Sequence, residues 1–148
     1  MIVAAPGGAA TIIDESYNAN PASMRAALAL LGATKPGAGG RRIAVVGDML
    51  ELGPQGPDMH AALAADLAAA KVDLLFGAGA LTRALYDAAP PDMRATWAPS
   101  AAELTAPVAK ALRGGDVAMI KGSNGSRMGP LVAALREHFS GAGASGED

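Results

Sequence analysis

The sequence has no cysteine and few aromatic residues. Without cysteine it can form neither a disulfide framework nor a thiolate metal site. One tryptophan, two tyrosines and two phenylalanines are too few for a surface that stacks nucleobases. The 12 basic and 14 acidic residues give a formal net charge of −2, so there is no excess of positive charge to bind a phosphate backbone. We therefore expect no nucleic-acid partner.

Long apolar runs are absent as well. Asp66, Lys71 and Asp73 interrupt the most apolar third of the chain, which leaves no segment of membrane-spanning length. The N-terminus lacks the basic start of a signal peptide. At 148 residues the chain is long enough to bury one hydrophobic core. We expect a cytoplasmic domain without membrane insertion.

Common motifs for nucleotide binding and catalysis are missing too. The sequence has no G-x-x-x-x-G-K-[ST] phosphate loop, no G-x-G-x-x-G directly after a predicted strand, and no G-x-S-x-G nucleophile turn. The chain therefore carries no complete catalytic set of its own.

What is present is a regular alternation of apolar strands and amphipathic helices. Strands are predicted at 7–14, 42–48, 72–79, 93–97 and 116–123, with 2–5 as a hairpin partner of the first. Helices are predicted at 20–31, 57–71, 80–89, 100–112 and 128–139. Because strands that alternate with helices form right-handed βαβ units, we predict a three-layer α/β fold with a mainly parallel sheet.

Two helix starts have recognisable signals. Asn20 followed by Pro21 predicts an N-cap and a first helical residue. Ser100 and Glu103 have the spacing of a capping box. Pro107 lies inside the second of these helices, so we expect that helix to kink or to start later.

The carboxyl ends of parallel strands are where open α/β sheets bind ligands. Asp14 and Glu15 follow the first long strand and could accept hydrogen bonds from the two hydroxyls of a ribose. Tyr17, Asn18 and Asn20 offer a ring and amide groups suited to a base. The alternative is that Asn20 only caps a helix while the two acids are solvated.

A second polar cluster follows the last predicted strand. Lys121 at the strand end could pair with a phosphate or carboxylate, and Arg127 with the Ser123 and Ser126 hydroxyls could complete an anion site. The alternative is a lysine that extends its apolar stem along the core before a polar turn.

Asp48, Glu51 and His60 are residues of the types that bind metal ions. Their spacing matches no strong metal motif, so we predict no metal site. We expect His60 to be a surface or hydrogen-bonded histidine.

Three segments together resemble a known family. These segments are "DESYNANPASM", "RRIAVVGDMLELG" and "IKGSNGSRM". They are similar to the C-terminal domain of the Mur ligases, and specifically to the type that adds D-alanyl-D-alanine to UDP-N-acetylmuramoyl-tripeptide. The resemblance runs from about residue 2 to residue 139. It implies a Rossmann-like domain over 1–140, and we expect 141–148 to be a disordered tail.

The activity that this resemblance implies is ATP-dependent amide formation in peptidoglycan precursor synthesis. ATP phosphorylates the tripeptide carboxylate, and the amine of D-alanyl-D-alanine attacks the acyl-phosphate. ATP and Mg²⁺ would be held mainly by a central domain that this sequence lacks, as it lacks the N-terminal domain that binds the UDP-sugar. We therefore expect the chain alone to be inactive.

The resemblance also assigns roles to individual residues. Asp14 or Glu15 would contact the ribose, while Tyr17, Asn18 and Asn20 would lie beside the nucleotide.

On the substrate side, Lys121 and Ser123 would face the incoming dipeptide. Relatives often have arginine at the place of Asn124, which leaves Arg127 as the nearest cation for the dipeptide carboxylate.

Two other interpretations stay open from the sequence. One is the equivalent domain of a folylpolyglutamate synthetase-like ligase, against which the Tyr17–Pro21 segment argues. The other is a stand-alone α/β binding module, which a stop codon just upstream of Met1 would favour.

Overall fold

The computed structural model describes residues 1–146, with side chains described through residue 140. A six-stranded sheet has the order β1-β2-β6-β3-β4-β5. The strands are β1 (Ile2–Ala5), β2 (Gly8–Glu15), β3 (Arg42–Gly47), β4 (Leu74–Ala78), β5 (Arg94–Ala98) and β6 (Val117–Lys121). β1 pairs with β2 in antiparallel fashion, and every other pairing is parallel. The predicted α/β fold and its N-terminal hairpin are thus confirmed.

Helices cover both faces of this sheet. They are α1 (Pro21–Ala33), α2 (Gly56–Ala62), α3 (Ala64–Ala69), α4 (Thr82–Ala88), α5 (Thr105–Ala111) and α6 (Met128–Gly146). Along β3, Ile43 and Val45 belong to a core with α5 and α6, while Ala44 and Val46 belong to a core with α1 and α3. Because strands buried on both faces need apolar side chains at consecutive positions, β3 reads as a continuous apolar run. The described part of the chain has no helix long and apolar enough to cross a membrane.

The start of α1 follows the prediction from Asn20 and Pro21. The Asn20 side chain accepts a hydrogen bond from the Ser23 backbone N–H at 2.8 Å, and the Ser23 hydroxyl accepts from the Asn20 N–H at 3.0 Å. Both bonds satisfy N–H groups that the first helical turn leaves free.

The predicted capping box at Ser100 and Glu103 is wrong. The Ser100 hydroxyl donates to the Glu103 carboxylate at 2.9 Å, and a 3-10 turn occupies Ala102–Leu104. α5 begins only at Thr105, which is the later start expected from Pro107. Near a helix N-terminus, the missing N–H of proline costs no intrahelical hydrogen bond.

Two other helix boundaries differ from the prediction. The helix predicted over 57–71 is divided at Leu63, whose N–H bonds to the His60 carbonyl at 3.1 Å and so tightens the turn between α2 and α3. α6 continues past Phe139 to Gly146. For the tail expected to be disordered at 141–148, side chains are not described and residues 147 and 148 lie outside the described residues, so that expectation stays a prediction.

The amino edge of the sheet is closed by a partly buried ion pair. Arg41 and Asp116 approach to 2.8 Å, and Asp116 also accepts the backbone N–H groups of Arg41 at 3.0 Å and Arg113 at 2.9 Å. Burial raises the pKa of Asp116, but the hydrogen bonds from the Arg41 side chain and from these N–H groups outweigh it and hold that pKa below its ordinary value.

Candidate functional site at the carboxyl edge of the sheet

All five parallel strands end at one edge of the sheet, and two cavities open there. The first, which we call the asparagine cavity, has a volume of about 510 Å³. It is lined by Asn18, Asn20, Leu50, Glu51, Ser123 and Asn124 among others. The second, the arginine cavity, has a volume of about 330 Å³. It is lined by Asp48, Leu50, Gly79, Ser100, Ser126 and Arg127 among others.

Asp14 and Glu15, the last two residues of β2, do not line the asparagine cavity. The exposed Asp14 accepts a hydrogen bond from the Ser16 N–H at 3.0 Å, and Glu15 accepts one from the Tyr17 hydroxyl at 3.2 Å. This hydrogen bond, and then the negative charge of Glu15, raise the pKa of Tyr17 above its ordinary value. Tyr17 is 69% exposed, so its ring is free to stack on a ligand.

Lys121 is only 3% exposed, and its ammonium group is engaged within the protein. Its Nζ donates to the Asn18 carbonyl at 2.8 Å and lies 5.9 Å from the centre of the Tyr17 ring. Lys121 therefore fastens the segment before α1 to the end of β6. The predicted lysine–phosphate contact would have to compete with this bond.

Ser123 is also engaged with the backbone around the asparagine cavity. Its hydroxyl donates to the Ala19 carbonyl at 3.3 Å and accepts from the Leu50 N–H at 2.9 Å. Ser123 thus joins the two segments that form opposite walls of the asparagine cavity.

Arg127 lies away from Lys121 and Ser123, at the arginine cavity. It ends a 3-10 turn (Asn124–Ser126) with a left-handed φ of 65°. Its exposed side chain makes no hydrogen bond or ion pair to any residue whose side chain is described. Asn124, at the other end of the turn, lines the asparagine cavity. The predicted anion cluster is therefore divided between the two cavities.

Asp48 holds the arginine cavity in shape. Its Oδ1 accepts the Thr82 N–H at 2.8 Å and the Thr82 hydroxyl at 2.7 Å, which ties the end of β3 to the start of α4. Gly79, with a φ of +105°, lies against this carboxylate, and a Cβ there would overlap it. No short-range sequence signal indicates the hydrogen bonds between Asp48 and Thr82, since these two residues are far apart in the chain.

His60 is fully buried, and both ring nitrogens are hydrogen-bonded. Nε2 accepts the Met49 N–H at 2.9 Å, and Nδ1 lies 2.7 Å from the Gly56 carbonyl. The expectation of a hydrogen-bonded histidine is met, although its complete burial was not anticipated. Residues with described positions include no group of three histidine, aspartate or glutamate side chains that could hold a metal ion.

A family model described as "Mur ligase, glutamate ligase domain" matches residues 2–124. The chain belongs to the Mur ligase family. It is 33% identical to the UDP-N-acetylmuramoyl-tripeptide–D-alanyl-D-alanine ligase of Mycobacterium tuberculosis H37Rv, covering 91% of this chain and 30% of that protein. It is 30% identical to the enzyme of the same name from Bacillus subtilis strain 168, covering 86% of this chain and 28% of that protein. The resemblance stated from the sequence is confirmed.

Solved structures of Mur ligases have the same fold as this chain. MurF from Acinetobacter baumannii superposes with a TM-score of 0.69 at 29% identity, over 82% of this chain and 26% of that one. MurF from Thermotoga maritima, in complex with ADP, superposes with a TM-score of 0.75 at 20% identity, over 95% of this chain and 31% of that one. The chain thus spans less than a third of the length of these relatives, so it corresponds to one of their domains.

Proposed function

We propose that this chain is the C-terminal domain of a ligase that adds D-alanyl-D-alanine to UDP-N-acetylmuramoyl-tripeptide, using ATP, in the cytoplasmic synthesis of peptidoglycan precursors. The observation that carries this proposal is the asparagine cavity. Its walls come from all three segments that resemble the family, around Asn18, around Leu50 and around Ser123, and the Lys121–Asn18 hydrogen bond joins the first of these segments to the third.

On the nucleotide side, the proposed contacts are those of the segment between β2 and α1. The carboxylates of Asp14 and Glu15 can accept hydrogen bonds from ribose hydroxyls. Tyr17 offers an exposed ring for stacking, and Asn18 and Asn20 bring amide groups to the asparagine cavity. Since Asn20 already caps α1 through its Oδ1, its contribution to a ligand would come from its amide nitrogen.

On the dipeptide side, the proposed cation is Arg127. A guanidinium group matches the geometry of a carboxylate, and Arg127 has no described internal partner to give up. The arginine cavity, at about 330 Å³, is within the range of small-ligand sites and suits a short peptide. Ser123 and Asn124 would act on the substrate through the asparagine cavity that they line, and Lys121 would act by holding its wall around Asn18 in place.

The residues of this chain suit contacts to the ribose and base of ATP better than coordination of the Mg²⁺ that accompanies ATP. With no group of three candidate metal ligands among the described residues, Mg²⁺ would be held by the central domain of the longer ligase. When bound there, ATP supplies the phosphoryl group that activates the tripeptide carboxylate. The role of this domain would be to orient the reactants and exclude water when it closes over them.

The test uses the ligase that contains this domain, with Arg127→Ala as the main variant. We expect the KM for D-alanyl-D-alanine to rise about tenfold, with the KM for ATP unchanged, because a charge-assisted contact to the carboxylate is lost. Lys121→Ala is expected to lower turnover or raise the dipeptide KM while leaving the domain folded. Arg25→Ala, an exposed arginine on α1, is the matched control.

Two results would reject these assignments. An unchanged dipeptide KM in Arg127→Ala would remove Arg127 from the dipeptide site. Unchanged turnover and dipeptide KM in Lys121→Ala would remove Lys121 from the machinery of the reaction.

A further inference from the structure

The segment 48–52 separates the asparagine cavity from the arginine cavity. Leu50 lines both cavities, Asp48 lines the arginine cavity, and Glu51 lines the asparagine cavity. The position of this segment therefore contributes to the shape of both cavities, which Gly125 also lines.

The backbone of this segment needs external support. It has no helix or strand, and Glu51 has a φ of 64°, in the left-handed region that residues other than glycine rarely adopt. A backbone of this kind stays in one conformation only when the surrounding structure holds it there.

Two side chains supply that support from opposite sides. Ser123, at the end of β6, accepts the Leu50 N–H at 2.9 Å, and its own N–H donates to the Asp48 carbonyl at 3.0 Å. His60, on α2, accepts the Met49 N–H at 2.9 Å through Nε2. Consecutive N–H groups of the segment are thus bound by two different elements of the fold.

The second ring nitrogen of His60 determines which tautomer can do this. Nδ1 lies 2.7 Å from the Gly56 carbonyl, one turn earlier in α2. Because a carbonyl oxygen only accepts hydrogen bonds, Nδ1 carries the proton and Nε2 is left free to accept. His60 is 0% exposed, so water cannot replace it at the Met49 N–H.

We infer that His60 is a positioning residue for the candidate site. It lines neither of the two cavities. Through the Met49 N–H it holds the segment 48–52, and with it Leu50 and Glu51, in the place that defines the two cavities. A histidine that only filled space between α2 and the segment would not need an acceptor at Nε2.

The test compares two variants of this chain that each preserve one half of the histidine's hydrogen bonding. In His60→Gln, the side-chain amide reaches the position of Nε2 and can accept the Met49 N–H. In His60→Asn, the amide reaches only the position of Nδ1 and can bond only to the Gly56 carbonyl. We expect amide hydrogen exchange at Met49, followed by NMR, to be about fivefold faster in the asparagine variant and within about twofold of the parent in the glutamine variant.

Two exchange results would overturn the inference. One is equal acceleration in both variants, which would indicate a general loss of packing. The other is unchanged exchange in His60→Asn. If either variant does not fold, the tautomer of His60 in the parent chain decides, as read from long-range ¹H–¹⁵N couplings: a proton on Nε2 would exclude the proposed acceptor role.

A third experiment tests whether His60 affects nucleotide binding, and it rests on the proposed function. ADP is titrated into each chain while the side-chain amide signals of Asn18 and Asn20 are followed. We expect about fivefold weaker binding in His60→Asn, with binding retained in His60→Gln. Equal affinity in all three chains would overturn the link between His60 and the asparagine cavity. Failure of the parent chain to bind ADP would count against the nucleotide contact itself, while the exchange and tautomer results would still decide the role of His60.

Discussion

Both edges of the sheet carry an arginine and an aspartate, but these residues have different partners at the two edges. At the amino edge, the partly exposed Arg41 and the buried Asp116 form a pair in which each charge has a partner. At the carboxyl edge, Arg127 is exposed and has no described partner, and Asp48 is occupied by neutral donors from Thr82. A charge that meets its counter-ion inside the fold stabilises the fold, whereas one left without a counter-ion is available to a ligand.

Glycines show the same contrast. At the amino edge, Gly40 and Gly115 bring two backbones into contact, and a Cβ on Gly40 would overlap the Gly115 carbonyl group. At the carboxyl edge, a Cβ on Gly125 would meet only the end of the Leu50 side chain, at 2.7 Å. Backbone packing therefore closes the amino edge at Gly40, whereas the contact at Gly125 is with the end of a flexible side chain.

Asp116→Asn should break the closed edge and have the largest effect on stability. We expect a loss of about 3 kcal/mol at neutral pH, because the Arg41 charge loses its partner and Asn cannot accept from all the donors that surround Asp116. Denaturant unfolding monitored by circular dichroism measures this. Asp87→Asn, in the exposed pair Arg83–Asp87, is the matched control and should cost no more than about 0.5 kcal/mol.

The same variant should alter the pH dependence of stability. Because the folded-state pKa of Asp116 is depressed, its contribution is complete above the unfolded-state pKa of about 4 and is lost as the pH falls through the lower folded-state pKa. The stability difference between parent and variant should therefore narrow in acid. Parallel curves down to pH 2 would show that Asp116 does not titrate as described.

Asn20→Ala should have an intermediate effect on stability, at a residue that both caps α1 and lines the asparagine cavity. Loss of the cap on α1 should cost about 1 kcal/mol of unfolding free energy. Asn124→Ala is the control, since the exposed Asn124 side chain makes none of the hydrogen bonds found for Asn20, and we expect a change within about 0.5 kcal/mol. An unchanged denaturation midpoint for Asn20→Ala would contradict the stabilising role of the capping box.

Arg127→Gly should have the smallest effect on stability, and it should stabilise the domain relative to Arg127→Ala. Glycine adopts a φ of 65° without the steric cost that other residues have there, so this variant should be about 0.5 kcal/mol more stable than Arg127→Ala. Comparison of their denaturation midpoints tests this. A less stable glycine variant would show that the left-handed conformation at this position is not strained.

Local patterns were enough to predict most of the fold. The apolar run in β3 and the Asn20–Pro21 signal for α1 both depend on residues close in sequence, and both predictions are confirmed. The Ser100–Glu103 pattern failed because an acceptor side chain can bond to the serine hydroxyl instead of to a free backbone N–H. Spacing alone does not distinguish these two geometries.

The candidate site was harder to predict because the order of strands in the sheet decides it. From the sequence, Lys121 could either pair with an anion or extend its stem along the core. Since β2 is the neighbour of β6, the ammonium of Lys121 reaches the Asn18 carbonyl, and the predicted ligand contact stays a prediction. The bonds of Asp48 to Thr82 and of His60 to Met49 likewise depend on tertiary contacts that no local pattern encodes.

The pairing of β2 with β6 also determines when the domain can fold. Thr11 is opposite Val117, so the hairpin of β1 and β2 gains its neighbour in the sheet only after β6 has left the ribosome. Pairings between distant segments close long loops and form slowly. Until then β2 has an unpaired edge, which is the kind of surface that promotes aggregation. The hydrogen bond between Lys121 and Asn18 therefore cannot form before β6 has been synthesised, and the candidate site needs segments from both halves of the domain.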